Sequence, residues 1–290
     1  MKDELLRHAF RLYPFSKGRY RLMKWFEKGL GNGERTVPFE GCLFGLDLSR
    51  GGLQRSFYFF MPERYEPGTQ RFLGDFLKPG MTALDIGAHI GLLTLLMARR
   101  VGPSGRVFSF EPVPENFRIL ERNLARNGFS WVKPVQAAVA DRNGHETLHA
   151  DVTDASYRIE SAVGRPGTAG RTRLVTLDGF LDSEGIKRVD LVKIDAETSE
   201  PLVIQGARRL LSRRDAPTVI CEIHRSNNDA SYGKDRVRNL FYELGYRSRV
   251  LDARLAGKPY LSELAPTEPV NGLQNVLFIK NGGLRGGNGA

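Results

Sequence analysis

A chain of 290 residues with 41% hydrophobic content can bury one substantial core and carry a small appendage. Cys42 and Cys221 stand far apart with no CxxC or histidine-rich surroundings, which leaves neither a disulfide framework nor a zinc site and fits a reducing compartment. No apolar run approaches the roughly 18 to 20 residues of a spanning helix and no signal-peptide pattern is present, so a soluble, cytoplasmic protein is expected.

The 43 Lys and Arg against 33 Asp and Glu give a net charge of +10, which favours nucleic acid, anionic lipid surfaces or acidic substrates as partners. The basic residues are spread through most segments, so the charge alone selects none of them.

Residues 5–30 mix apolar side chains (Leu6, Phe10, Leu12, Leu22, Trp25, Phe26) with basic ones (Arg7, Arg11, Lys17, Arg19, Arg21, Lys24) and are broken at Pro14 and Gly18. They read as two short amphipathic helices, either a cap on the main domain or an element touching a membrane surface. Next, residues 39–48 and 56–60 read as strands of a β-hairpin around Gly51-Gly52. A helix over 68–77 leads through Pro79-Gly80 into the main domain.

From Met81 onward short β-type runs alternate with helical patterns, the mark of a parallel sheet with crossover helices. Strands are expected at 82–86, 107–111, 132–138, 191–195, 219–223, 246–251 and 275–279, with helices starting near Gly91, Pro114, Pro201 and Lys234. The expected fold is therefore α/β, a doubly wound, mostly parallel seven-stranded sheet. Residues 141–170 break the rhythm as a hairpin excursion or a mobile loop. The Gly-rich tail, residues 281–290, is expected to be disordered. The chain divides into an N-terminal helical and hairpin extension at 1–60, a main domain at 61–280, and that tail.

In doubly wound sheets the ligand sits beyond the carboxyl ends of the strands. The first such loop is Asp85-Ile86-Gly87-Ala88-His89-Ile90-Gly91, in which Gly87 and Gly91 permit a tight turn and close approach of a ligand. Glycines of this kind alone are weak evidence, because dinucleotide enzymes use them too. Asp85 sharpens the reading: a carboxylate there repels a pyrophosphate and welcomes an ammonium. Glu111, ending the second strand, is placed to accept both hydroxyls of a ribose. Together they specify adenosine plus a zwitterion, that is, S-adenosyl-L-methionine rather than NAD.

Further runs carry a family resemblance. They are Tyr65-Glu66-Pro67, Leu77-Lys78-Pro79-Gly80, the Asp85 to Gly91 loop, Gly105-Arg106-Val107 leading to Phe110-Glu111-Pro112, and Asn116-Phe117 with Leu120 and Asn123. Ala137-Ala138-Val139, Thr176-Leu177-Asp178, Val192-Lys193-Ile194-Asp195-Ala196-Glu197, Glu200, Gly206-Ala207 and Cys221-Glu222-Ile223-His224 complete the set. In this order they resemble the FkbM-type methyltransferases over roughly residues 37–280. The resemblance implies a class I, Rossmann-like methyltransferase fold that uses S-adenosyl-L-methionine, acting commonly on hydroxyls of sugars, glycolipids or natural products. It implies a cofactor site at Glu66, Asp85, Gly87, Ala88, His89, Gly91, Glu111, Asn116 and Ala138, with Ala137-Ala138 near the adenine. The chain departs from the family pattern twice, with His89 in place of Asn and Thr198 in place of Gly.

Methylating a hydroxyl needs alignment of donor and acceptor and a base for the hydroxyl proton. Asp195 with Glu197 at the end of the fourth strand, and Glu222 with His224 at the end of the fifth, form the candidate catalytic cluster, with His224 or Asp195 as base and Glu222 orienting. Asp195, Glu222 and His224 are also the candidate ligands of a divalent cation, Mg or Mn, ranked below direct base catalysis. A buried salt-bridge network with Lys193 or Arg225 is the purely structural reading of the cluster. RNA ranks second as acceptor, because the fourth strand lacks the Asn/Asp-Pro-Pro-aromatic run of base N-methyltransferases. A non-catalytic cofactor-binding protein is the third reading, motivated by Thr198.

Overall fold

A computed structural model describes residues 2–12, 18–150, 157–159, 168–223, 236–251, 261–263 and 274–280. Its chain order opens with α1 (Lys2–Leu12), α2 (Arg19–Glu27), β1 (Glu34–Phe39), β2 (Cys42–Asp47) and α3 (Pro67–Phe76). The alternating section follows: β3 (Thr82–Ile86), α4 (Leu92–Val101), β4 (Arg106–Phe110), α5 (Pro114–Arg126), β5 (Val132–Val135) and β6 (Ala138–Val139). Then come β7 (Gly144–Ala150), β8 (Tyr157–Ile159), β9 (Thr168–Val175), α6 (Leu177–Ser183), β10 (Leu191–Ile194), α7 (Glu200–Gly206) and α8 (Arg208–Ser212). β11 (Thr218–Ile223), α9 (Arg236–Glu243), β12 (Tyr246–Leu251), β13 (Leu261–Glu263) and β14 (Gln274–Lys280) close it.

The main sheet runs β13-β12-β14-β11-β10-β3-β4-β5. β3, β4, β5, β10 and β11 pair in parallel, whereas β14 enters antiparallel between β11 and β12. All seven expected strands are present, with the short β13 added at the edge. Each central strand is apolar on both sides because helices cover both faces. Ala83, Val107, Leu191 and Ile220 pack into one core with α4 and the N-terminal region, and Leu84, Phe108, Val192 and Val219 pack into the other with α6, α7 and α9. From β3 the chain first steps outward through β4 and β5 and then returns to the other side through β10 and β11. That reversal makes the β3–β10 boundary a topological switch point, where crossover loops diverge and leave a crevice.

The N-terminal hairpin differs from the expected one. It pairs β1 with β2 through a turn at Glu40-Gly41, both at positive φ (48° and 73°), the backbone that tight hairpin turns require. Gly51-Gly52 instead opens a helical stretch over residues 52–60, whose centre, Gln54–Tyr58, is a π-helical turn. The run Phe57-Tyr58-Phe59-Phe60 is apolar on every side, so periodicity could not separate strand from helix; burial of Tyr58, Phe59 and Phe60 decided it. The expected strand over 132–138 also divides, since Ala138–Val139 pairs with β9 in a second, four-stranded sheet, β6-β9-β7-β8. The excursion at 141–170 is thus built on an antiparallel pair, β7 with β9. His224, the expected helix start near Lys234 and the tail at 281–290 lie outside the described residues.

Candidate active site

A cavity of about 350 Å³, within the range of small-molecule sites, opens at the switch point. Its floor is the loop after β3. Gly87 and Ala88 donate their backbone N–H groups to the Phe110 carbonyl at 3.0 and 2.9 Å, which folds the loop against β4. Gly87 is at φ +81°, and a Cβ there would lie 1.7 Å from the Asp195 carbonyl oxygen, so only glycine lets β3 and β10 approach at this point. Gly91, at φ +92°, is the N-cap of α4 and packs against Leu120; it does not line the cavity.

Glu111 ends β4 and faces this loop. Its Oε2 accepts the His89 N–H at 2.8 Å, its Oε1 accepts the Val113 N–H at 3.0 Å, and Asn116 lies 3.4 Å from Oε1. A carboxylate offers about four acceptor directions, so two good backbone bonds leave capacity on the group. Burial pushes its pKa up to about 7, against the pull of those donors. Across the cavity, Asp85 is buried, accepts the Thr94 hydroxyl at 2.6 Å through Oδ2, and keeps Oδ1 without a partner among the described residues. Burial raises its pKa, opposed chiefly by the Lys193 ammonium.

Lys193 is the feature that sequence reasoning underused. In β10 it stands in register with Asp85 of β3, and its side chain is 3% exposed. Its ammonium donates to Asp195 Oδ2 at 2.8 Å and lies 3.9 Å from Glu66 Oε1. Glu66 is anchored in turn by Asn275, whose Nδ2 donates to Oε2 at 2.8 Å. Glu222 hydrogen-bonds Asp195, and burial together with the Asp195 charge raises its pKa to about 11, so at neutral pH Glu222 holds its proton. The Lys193 pKa is held above the usual value by Asp195, Glu66 and Asp85, against desolvation.

Asp85, Gly87, Ala88, His89, Glu111, Asn116, Ala138 and Asp195 all line the cavity, whereas Glu66 and Glu222 sit behind Lys193 and Asp195. The salt-bridge network weighed for the acidic cluster is present around Lys193. Carboxylate oxygens of Glu66, Asp195 and Glu222 lie within 4.8 Å of one another, the spacing of a metal cage. The Lys193 ammonium already faces two of these carboxylates, Asp195 and Glu66, while His224, the remaining candidate ligand, lies outside the described residues. The wall also contains Arg50, Gln54 and Tyr58 from the N-terminal segment and Leu148 from β7, for which no motif gave a signal. His89, at φ +51°, is a neutral imidazole, its pKa lowered by burial to about 4, and its ring lies tilted at 49° to Tyr58 with 5.7 Å between centroids.

The sequence profile of the methyltransferase FkbM domain matches residues 85–248, more than half of the chain. The chain belongs to the FkbM methyltransferase family. Among its relatives, the AMB antimetabolite synthetase AmbE of Pseudomonas aeruginosa is 29% identical over 222 residues, covering 63% of this chain and 10% of that protein. The methyltransferase sdnD of Sordaria araneosa is 31% identical over 154 residues, covering 42% of this chain and 59% of its own length. The 31-O-demethyl-FK506 methyltransferase FkbM of Streptomyces tacrolimicus is 29% identical over 180 residues, 51% of this chain and 67% of that protein. This FkbM-family chain therefore spans a tenth of the first relative and about 59% of the second. Among solved structures, the methyltransferase FkbM of Methylobacillus flagellatus superposes with a TM-score of 0.46 at 15% identity, covering 96% of this chain and 59% of that one.

Proposed function

We propose that the chain transfers a methyl group from S-adenosyl-L-methionine to a hydroxyl on a sugar, glycolipid or natural product. The observation that carries this reading is that Asp85 and Glu111, from the neighbouring strands β3 and β4, front one cavity at the switch point of the sheet, with Asp195 following β10 on the other side of β3. Asp85 offers its unpartnered Oδ1 to the ammonium of the methionine moiety, and Glu111 offers its remaining lone pairs to the ribose hydroxyls. Ala138 and Val139 supply an apolar wall suited to the adenine. An oxygen acceptor is favoured by the likeness to the Streptomyces relative, a 31-O-demethyl-FK506 methyltransferase.

When bound, the sulfonium supplies a methyl group with a thioether leaving group that is already good. The chain's residues align the partners and accept the proton that the acceptor hydroxyl gives up as its oxygen–methyl bond forms. Of the carboxylates lining the cavity, Asp85, Glu111, Asp195 and Glu197, the first two are assigned to the cofactor and Asp195 is the first candidate base, with His224, the residue after β11, as the second. Glu222 keeps its proton and donates it toward Asp195, so its part is to orient that carboxylate.

Calorimetry with S-adenosyl-L-methionine and S-adenosylhomocysteine, joined to a radiolabelled methyl-transfer screen over glycan, lipid and small-molecule fractions, tests the reading. Binding plus label in an alkali-stable ether supports it. Absence of binding to both nucleosides rejects the cofactor assignment, and binding with no acceptor in any fraction returns the chain to a non-catalytic role.

A further inference from the structure

The two N-terminal helices bury one side and leave the other unpartnered. On α1 the buried positions are Asp3 and Phe10, seven residues apart. Leu5 and Leu12 follow each by two positions, about 200° further round the helix, and are 65% and 68% exposed. On α2, Met23 is buried while Tyr20 and Trp25 are 58% and 65% exposed. These four are most of the large apolar side chains exposed among the described residues, the others being Leu43 and Leu53. A soluble surface tolerates single exposed apolar residues, but two leucines on one stripe of α1, with a tyrosine and a tryptophan exposed on the helix that packs against it, concentrate apolar surface in this extension.

The charges around the patch are predominantly basic. Lys2, Arg11, Arg21, Lys24 and Lys28 are exposed on or just after these helices, against Glu4 as the exposed carboxylate. Arg11 shares a loose, well-exposed ion pair with Glu63 at 3.7 Å, whereas Lys24 pairs with the largely buried Glu27 at 3.1 Å, leaving Lys2, Arg21 and Lys28 as the further exposed cations of the face. Long basic side chains around Leu, Trp and Tyr match the headgroup region of an anionic bilayer, where phosphates meet the cations and the rings settle at the acyl boundary. No described helix is long and apolar enough to cross a membrane, so the match is to a surface.

We infer that α1 and α2 form a docking face for an anionic lipid surface. The face is coupled to the cavity. Arg55, in the π-helical turn that contributes Gln54 and Tyr58 to the cavity wall, donates to the carbonyls of Glu27 and Leu30 at the end of α2, at 2.9 and 2.6 Å. Arg7 of α1 donates to the Phe59 carbonyl at 2.7 Å. A docked extension therefore holds the Arg50 side of the cavity mouth close to the bilayer. This inference stands on the surface alone and does not require the methyl-transfer reading.

The test is co-sedimentation of the full chain with vesicles of phosphatidylcholine alone and of equal parts phosphatidylcholine and phosphatidylglycerol. Binding to the anionic vesicles, lost on raising the salt, is expected, with little binding to the neutral ones. Leu12→Ser with Trp25→Ser removes exposed apolar contacts and lowers the partition coefficient about tenfold or more. Arg21→Glu with Lys28→Glu lowers it without touching a buried residue, and unchanged thermal midpoints show that both variants fold. Absence of binding to anionic vesicles overturns the inference. So does a concentration-dependent dimer that Leu12→Ser with Trp25→Ser dissociates, because a second copy then covers the face.

Discussion

The Lys193 ammonium donates to Asp195 Oδ2 at 2.8 Å from a strand position that is 3% exposed, so the wall of the cavity is organised around a buried cation. The same ammonium faces Glu66 at 3.9 Å and stands in register with Asp85. Removing one partner of a buried ion cluster leaves the others uncompensated, at a cost of about 3 to 5 kcal/mol. Lys193→Met is therefore expected to lower the thermal midpoint strongly at neutral pH. The Lys193 pKa is raised in the fold, so its contribution is fully present below the unfolded value near 10.5 and is lost only as pH rises above it. In the variant the freed carboxylates take up protons, so its deficit shrinks on acidification. A deficit independent of pH between about 5 and 8 would sink this account.

Glu222 and Asp195 share one proton, and burial together with the Asp195 charge holds it on Glu222 well above the usual carboxylate range. An amide mimics a protonated carboxyl, with a donor where the acid has one. Glu222→Gln is accordingly expected to keep kcat within about threefold, whereas Asp195→Asn, which removes the acceptor, costs on the order of 10² to 10⁴ in kcat. Equal losses in the two variants would show that Glu222 works as an ionised group.

If Glu111 accepts both ribose hydroxyls, as we propose, it must be ionised to do so, yet in the free protein its pKa lies at about 7. Between about pH 4.5 and 7 the folded group holds a proton that the unfolded one has lost, so this group's share of stability falls as pH rises through that window. Cofactor affinity moves the opposite way. It should climb by up to about tenfold per pH unit until about pH 7 and then level, with proton release on binding below that point. Calorimetry in buffers of different ionisation enthalpy reads the proton directly, and Glu111→Gln should bind weakly with a flat profile.

Much of this geometry was legible in the residues. The apolar strands, the glycine loop and the terminal carboxylates Asp85, Glu111 and Asp195 each carry a local signal, because a strand buried on both faces must be apolar and a charge interrupting it needs a reason. Lys193 gave such a signal as a lysine inside Leu-Val-Lys-Ile, but its partners lie on separate elements. Glu66 meets Asn275 across 209 residues, a contact that no spacing announces. The N-terminal hairpin was misplaced because Gly51-Gly52 looks like a turn, while the actual turn at Glu40-Gly41 places a glutamate at positive φ. His89 is explicable in hindsight: at φ +51° the position favours residues that tolerate left-handed backbone, and both Asn and His do.

Gly87 gives a steric test. A Cβ there would lie 1.7 Å from the Asp195 carbonyl oxygen, on backbone already at φ +81°. Gly87→Ala must push β10 away from β3 and is expected to abolish cofactor binding. Gly185→Ala, at φ +65° with nothing within 4 Å, meets only the conformational penalty of about 1 to 2 kcal/mol and should bind normally. Comparable binding by the two variants would mean that the loop after β3 is not the cofactor's floor.

Thr198 and Glu197 sit at φ +77° and +47° directly after the cavity-lining Asp195 and Ala196. Two consecutive left-handed residues without glycine are costly, and a β-branched one most of all. The turn is held by the buried Glu200, whose Oε1 accepts the N–H groups of Ala196 and Thr198 at 3.0 and 3.2 Å. Where the family resemblance expects glycine, this chain carries the strain and braces it. Thr198→Gly removes a penalty of about 1 to 2 kcal/mol and returns part of it as unfolded-chain entropy, about 0.5 to 1 kcal/mol. A net gain near 1 kcal/mol raises the thermal midpoint by about 2 to 4 °C. Thr198→Val keeps the branched side chain and should gain nothing. A midpoint that falls in Thr198→Gly would show that the threonine hydroxyl, rather than the Glu200 brace, secures the turn beside Asp195.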